Sequence, residues 1–307
     1  MSFSIYGTGS ALGSLTKTNK DLEAFLDTSD QWIKSKTGIE ERRLLGEGET
    51  LIDLAVLASK RAMEMADITS DQLDLIVCAT VTSEYKTPSL GCIVQREIKA
   101  TCPAFDISAG CTGFVYGLDI ADAYFHRNED SKILVIGADA VSRIVDWTDR
   151  KTAVLFGDGA GACILGKGDG LKAITSHARG NINYLYDLDE DGEFLKMEGQ
   201  KVFQFAVTAM MRDIKKVLKE AEMDSEDIDF YLPHQANMRI IDFAISRLNV
   251  AKEKFLINID KTGNTSAATV PVLLDENVRS GKIKKGDMLL LSSFGAGLTS
   301  AAAIVKY

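Results

Sequence analysis

Ala66-Asp67-Ile68-Thr69-Ser70, followed by Leu73-Asp74-Leu75, has a counterpart 155 residues later. There the chain reads Ala221-Glu222-Met223-Asp224-Ser225, followed by Ile228-Asp229-Phe230. The same shift lays Ile133-Leu134-Val135-Ile136 on Met288-Leu289-Leu290-Leu291. It also brings the segment that starts at Cys111 onto the one that starts at Ser266, each opening an apolar helix. Each match alone is weak, but one offset serving separated places indicates a duplication. The expected boundary lies near residues 165–175, where Gly166-Lys167-Gly168-Asp169-Gly170 reads as a turn. The two halves are then residues 1–168 and 169–307.

The repeated unit is α/β. Leu73 to Thr80 and Ile133 to Gly137 are continuous apolar runs, the pattern of strands buried on both faces. Helices are expected over Ala55 to Ala66, Cys111 to Phe125 and Phe205 to Ala221, the last with a basic face. Strands alternating with helices imply helices on both faces of each sheet.

Composition narrows the function. The chain has 307 residues, 46% hydrophobic and 26% charged, which is the profile of a globular protein. No apolar run reaches the ~18 residues of a membrane span, and no signal peptide is evident. The net charge of −9 argues against nucleic acid as a partner. Five cysteines at irregular spacings, with no Cys/His cluster, argue against a disulfide framework or structural zinc. A reducing, cytoplasmic compartment fits them best.

Four segments carry residues with chemistry. In Ser108-Ala109-Gly110-Cys111-Thr112-Gly113, a strand-like run ends and a helix begins. A cysteine there faces unpaired N–H groups and the positive end of a dipole, which favour the thiolate. The alternative is a packing cysteine, the reading that Cys78, Cys92, Cys102 and Cys163 receive. In Leu232-Pro233-His234-Gln235-Ala236-Asn237, the proline ends a strand and sets His234 at its C-terminal end, where open α/β sheets carry their sites. His126 reads as a solvated helix end and His177 as a strand residue. In Gly263-Asn264-Thr265-Ser266, small polar residues precede a helix, with Thr265 or Ser266 as its N-cap. Ser293-Phe294-Gly295-Ala296-Gly297 follows a buried strand and reads as a tight turn or part of an oxyanion hole. Gly157-Asp158-Gly159-Ala160-Gly161 lacks the features of a nucleotide loop and reads as a close-packed turn.

Taken together, these segments resemble the β-ketoacyl-acyl carrier protein synthase III family of the thiolase superfamily. Thr28-Ser29-Asp30-Gln31-Trp32-Ile33, Ser35-Lys36-Thr37-Gly38-Ile39, Thr148-Asp149-Arg150 and Phe156 to Gly161 add to the match, in the family's order and spacing. The resemblance implies the thiolase fold, with duplicated βαβαβαββ halves in a five-layered α/β/α/β/α architecture. It implies catalysis by Cys111, His234 and Asn264, with an oxyanion hole from the N–H groups of Cys111 and Ala296. Cys111 would take an acyl group from a short acyl-CoA. Malonyl-acyl carrier protein would then lose CO2 and condense with it, with acyl-CoA as substrate and no cofactor or metal.

The resemblance also points to Trp32 and Arg150 beside the adenine of coenzyme A, to Lys36 where relatives often have arginine, and to Asn237 on the pantetheine arm. Arg239 stands at the tunnel entrance. Arg212, Lys215, Lys216, Lys252 and Lys254, with Lys219, are candidates for docking the acidic carrier protein. Thr87 sits where the family limits the acyl pocket, often across a dimer interface, and its small size suits longer or branched primers. The acid-rich loop Arg179 to Lys196 is expected to line the mouth of the site. A homodimer is expected. The competing readings are a synthase-III-like enzyme of secondary metabolism and a non-catalytic scaffold; the intact Cys, His and Asn argue against the scaffold.

Overall fold

The computed structural model describes residues 2–187 and 194–307. The first half forms a five-stranded sheet in the order Ser2–Leu12, Asp158–Gly168, Ile133–Ala140, Leu75–Ala79, Ala104–Ile107. The second forms a four-stranded sheet in the order Phe230–Pro233, Met288–Gly295, Gly297–Lys306, Leu171–Asn181.

The two sheets face each other across a shared helical layer. Leu75, Val77, Ile133 and Val135 of the first sheet, and Leu289, Leu291 and Ala303 of the second, join one apolar core. Phe114, Leu118 and Phe125 of the helix Gly113–Arg127, with Val270, Leu273 and Leu274 of the helix Thr269–Arg279, fill the space between them. The intervening residues Ile76, Cys78, Leu134 and Ile136 point the other way, onto the helices Leu51–Ala66 and Leu90–Glu97. Leu290, Ala302 and Ile304 likewise meet Gly199–Glu220 and Met238–Leu248. This period-two division explains the unbroken apolar runs, since every residue of the central strands Leu75–Ala79 and Ile133–Ala140 is buried on one face or the other. The result is the five-layered arrangement that the resemblance implies.

The repeat is visible in the elements. Ile133–Ala140 and Met288–Gly295 coincide at a shift of 155, as do the one-turn 3-10 helices Ser70–Gln72 and Ser225–Asp227. At the site the register slips by one. Gly110–Thr112 corresponds to Ser266–Ala268, so Gly110 rather than Cys111 pairs with Ser266. Gly110 and Ser266 share a left-handed φ of 53°.

Several local expectations shift. The helix expected from Ala55 begins at Leu51, because Thr50 and Asp53 form a reciprocal capping box. The helix expected from Phe205 begins at Gly199. Strand pairing continues through Gly168, which leaves only Asp169-Gly170 for the turn between the sheets. Asp158 to Gly161 is strand rather than turn. Glycine is needed there because a Cβ on Gly161 would lie 2.7 Å from the Pro271 Cβ. His126 sits exposed in the last turn of its helix, 3.6 Å from Asp122, in keeping with its reading as a solvated helix end.

Candidate active site

Cys111, His234 and Asn264 line one cavity of about 580 Å³, together with Phe294 and Gly295. Each comes from the end of a different element. Cys111 sits in the 3-10 turn ahead of the helix Gly113–Arg127. His234 follows the strand Phe230–Pro233, and its N–H donates to the Ser292 carbonyl at 2.7 Å. Asn264 is clamped against the first half: its N–H donates to Leu155 O at 2.9 Å, and its carbonyl accepts from Gly157 N at 3.0 Å.

The polar atoms are oriented. Asn264 Oδ1 accepts from the Ser266 N–H at 2.9 Å, which leaves its amide nitrogen for the cavity. The His234 Nδ1 lies 2.6 Å from the Thr269 hydroxyl, and its ring meets Phe294 edge-on at 5.2 Å. Burial holds the imidazole in its neutral form, with its pKa pushed down to about 3.

The thiol departs from expectation. Burial pushes the Cys111 pKa up to about 12, and the nearby Asp139 carboxylate adds to the rise. The Ser266 hydroxyl and the cysteine's own N–H oppose this without overcoming it. Burial therefore favours the neutral thiol, against the pull of the helix terminus.

The glycine-rich turn abuts the cysteine turn. A Cβ on Gly295 would lie 2.8 Å from the Cys111 nitrogen, and one on Gly110 would lie 3.2 Å from the Ala296 nitrogen. The turns that carry Cys111 and Ala296 therefore pack closely, backbone against backbone. The Thr299 hydroxyl ties the two turns, lying 2.9 Å from the Thr112 hydroxyl and donating to the Ala109 carbonyl at 3.1 Å.

Trp32, Lys36, Arg150, Asn237 and Arg239 all line the same cavity. The Arg150 guanidinium lies directly on the Trp32 ring, 5.1 Å from its centroid, and donates to Asp27 O at 2.8 Å. The Asn237 side chain caps the helix Met238–Leu248 and donates to Lys36 O at 3.1 Å. Arg239 stacks on Phe203.

Other expected residues lie apart. Thr87 is exposed and does not line this chain's cavity. The Arg212 guanidinium is held by buried Asp213 at 2.7 Å and by Ser300 at 2.8 Å. Lys254 pairs with Glu226 at 3.2 Å, and Lys216 with Glu220 at 3.7 Å. Lys215, Lys219 and Lys252 are exposed. Lys215 and Lys216 stand roughly 20 Å along their helix from Phe203 at the cavity. Of the loop Arg179 to Lys196, residues 188–193 lie outside the described residues, while Leu185 lines the cavity. Neither Thr265 nor Ser266 caps through its side chain; the helix Thr269–Arg279 starts behind Ala268. Sequence reasoning missed Thr269 and Asp139, which read there as ordinary helix and strand residues.

Comparison with known proteins decides the family. The profile of 3-oxoacyl-[acyl-carrier-protein] synthase III matches residues 105–181, and that of its C-terminal region matches residues 218–307. The chain is 45% identical to the beta-ketoacyl-[acyl-carrier-protein] synthase III of Aliivibrio fischeri, covering 99% of both chains. The chain belongs to the β-ketoacyl-acyl carrier protein synthase III family. It is 43% identical to the synthase of Aquifex aeolicus over the full length of both. The crystal structure of the synthase III from Aquifex aeolicus superposes with a TM-score of 0.96, covering 99% of this chain and 100% of that one. The priming β-ketosynthase of the R1128 polyketide pathway is also similar, at 32% identity and a TM-score of 0.94, covering 99% of this chain and 96% of that one. The fold is the thiolase fold of the synthase III structures, and the protein is an acyltransferase, a condensing enzyme of fatty acid biosynthesis.

Proposed function

We propose that this synthase III joins a short acyl-CoA primer to malonyl-acyl carrier protein through an acyl-Cys111 intermediate. The observation that carries this reading is the convergence of Cys111, His234 and Asn264 on one cavity whose mouth holds Trp32, Lys36, Arg150 and Arg239. A thiol suits the first step, because thioester exchange is easy and the product thioester stays reactive. CoA leaves, and malonyl-carrier takes its place.

Loss of CO2 places negative charge on the malonyl thioester oxygen. His234 and Asn264 donate to that oxygen. In that role the Thr269 hydroxyl, 2.6 Å away, donates to Nδ1, which leaves the imidazole proton on Nε2, the donating position. Asn264 presents its amide N–H, because Oδ1 already accepts from Ser266. The carbanion attacks the acyl carbonyl, and the N–H groups of Cys111 and Ala296 hold the tetrahedral oxyanion. Thiol, imidazole, amide and backbone supply every step, so the reading calls for no cofactor.

Coenzyme A binds along Trp32, Arg150, Lys36 and Asn237. Arg239, which lines the cavity, marks the side from which the carrier's arm enters. The two halves divide near residues 168 and 169, the first supplying the nucleophile and the second His234 and Asn264. The protein works as a cytoplasmic homodimer. The edge strand Ala104–Ile107, with half-exposed Phe105 beside exposed Val81 and Tyr85, supports pairing across a two-fold axis. Thr87 then borders the partner's acyl pocket. Initiation of fatty acid synthesis is favoured over secondary metabolism by 43–46% identity to several synthase III relatives, against 32% to the polyketide priming enzyme.

Intact-protein mass spectrometry tests this. Acetyl-, isobutyryl- and octanoyl-CoA are each incubated with the enzyme, and any adduct is mapped and chased with malonyl-carrier. A short acyl group on Cys111 that the chase removes supports the reading. An adduct that persists sends the function toward other acceptors.

A further inference from the structure

Ser266 is held in a conformation that costs free energy. Its φ of 53° lies in the left-handed region, where its counterpart in the first half is Gly110. A non-glycine residue there is strained by roughly 1 kcal/mol or more, and such strain concentrates at functional sites. Its hydroxyl lies within hydrogen-bonding reach of two groups, the Cys111 thiol and the Asp139 carboxylate.

Asp139 is wholly buried at the centre of the molecule. One of its oxygens accepts from Val81 N at 2.8 Å and from the Thr82 and Thr80 hydroxyls at 2.9 and 3.2 Å. The other accepts from Ala267 N at 3.2 Å, and the carboxylate also meets the Ser266 side chain. Nothing in the condensation chemistry above uses this carboxylate.

That chemistry leaves one proton without a destination. The resting group at Cys111 is a thiol, so its proton must leave as sulfur attacks the primer. His234 is a poor acceptor, because its Nδ1 is occupied by Thr269 and its Nε2 already carries a proton in the proposed role. Free thiolate is equally scarce near neutrality, with the thiol pushed up to about 12.

We propose that Ser266 and Asp139 form a proton relay for Cys111. The inference deepens the proposed function and rests on it. As the Cys111 sulfur bonds to the thioester carbon, its proton passes to Ser266 Oγ, while the Ser266 hydroxyl proton passes to the Asp139 carboxylate. The intermediate collapses with cleavage of the bond to the CoA sulfur, and the CoA thiolate takes its proton from water. In the condensation half-reaction Cys111 is the leaving group. The proton then returns from Asp139 through Ser266 to the departing thiolate, so the relay ends as it began. Ser266 is the catalytic residue on the sulfur; Asp139 positions it and acts through it. Burial raises the Asp139 pKa, which eases the uptake of a proton. The titratable groups facing Asp139 are Cys111 across Ser266 and Cys78 on the strand Leu75–Ala79.

The decisive variant is Ser266→Gly, because glycine accepts the left-handed backbone and takes away the hydroxymethyl group that would relay the proton. Rapid-quench acylation by acetyl-CoA, read as acyl-Cys111 by mass spectrometry, is followed from pH 5.5 to 9. In the wild type the rate levels off once Asp139 is ionised. Ser266→Gly is expected to keep or raise Tm, to acylate on the order of 100-fold more slowly, and to rise about tenfold per pH unit without a plateau, as unassisted thiolate attack requires. Asp139→Asn is expected to give the same pH profile. A Ser266→Gly rate within threefold of the wild type overturns the relay, and so does a slower rate with the wild-type pH profile. Lack of a Cys111 adduct in the wild type instead overturns the underlying function, which keeps the two failures apart.

Discussion

The Thr269 hydroxyl lies 2.6 Å from Nδ1 of His234, across the junction of two elements 35 residues apart in sequence. Thr269 opens the helix Thr269–Arg279, and His234 ends the strand Phe230–Pro233. This contact fixes which imidazole nitrogen faces the cavity. Thr269→Val keeps the shape and removes the donor. Decarboxylation of malonyl-carrier, measured as CO2 release, should fall by about 10- to 100-fold, while acylation of Cys111 persists.

The same environment sets the charge of His234. A lowered pKa means that the ring gains its proton only near pH 3, far below the usual 6.5. Between pH 5 and 8 it stays neutral, whereas a solvated histidine would titrate through that range. Nitrogen NMR of labelled histidine should show His234 unchanged from pH 5 to 8, with Nδ1 unprotonated. A transition near pH 6.5 would contradict the burial argument.

The two half-reactions should separate genetically. Cys111→Ala should abolish acylation outright, and full condensation activity in that variant would end the covalent mechanism. His234→Ala and Asn264→Ala should still form the Cys111 adduct and fail to release CO2. Normal CO2 release by either variant would remove the enolate-stabilising role.

Arg150 rests on Trp32 at the mouth of the cavity, with no contact to the catalytic residues. Its loss should therefore weaken binding without slowing chemistry. Arg150→Ala is expected to raise KM for acyl-CoA by about tenfold, as loss of a stacking and charge contact of ~1–2 kcal/mol predicts. Steady-state kinetics should find kcat within about threefold of the wild type.

Gly157 packs against the backbone that carries Asn264. A Cβ there would lie 2.2 Å from the Thr262 carbonyl oxygen. Gly157→Ala should destabilise by at least ~2 kcal/mol, read as a lower Tm, because backbone on both sides must give way.

The paired segments at residues 66–75 and 221–230 made the duplicated α/β fold legible, because buried strands need continuous apolar runs and a duplication keeps its offset. Cys111, His234 and Asn264 were legible as well, each lying in a short motif at the junction of two elements. The thiol's ionisation was not. The helix-terminus argument points toward a thiolate, and the depth of burial, which opposes it, is visible only in the fold. Arg212 reads as a free cation in sequence, whereas the fold holds it against Asp213, one residue along the same helix, and Ser300, 88 residues away. Arg150 and Trp32 were recognised as a pair, but their direct contact was not foreseen.

Sequence alone determined the strand pattern, the repeat and the identities of the chemical groups, because these rest on local periodicity and residue type. Tertiary structure decided the states of those groups. The one-residue slip that seats Ser266 beside Cys111, the carboxylate of Asp139 behind it and the hydroxyl of Thr269 on His234 all join residues distant in the chain. Burial and hydrogen bonding set protonation, and both arise only when the two halves close on each other.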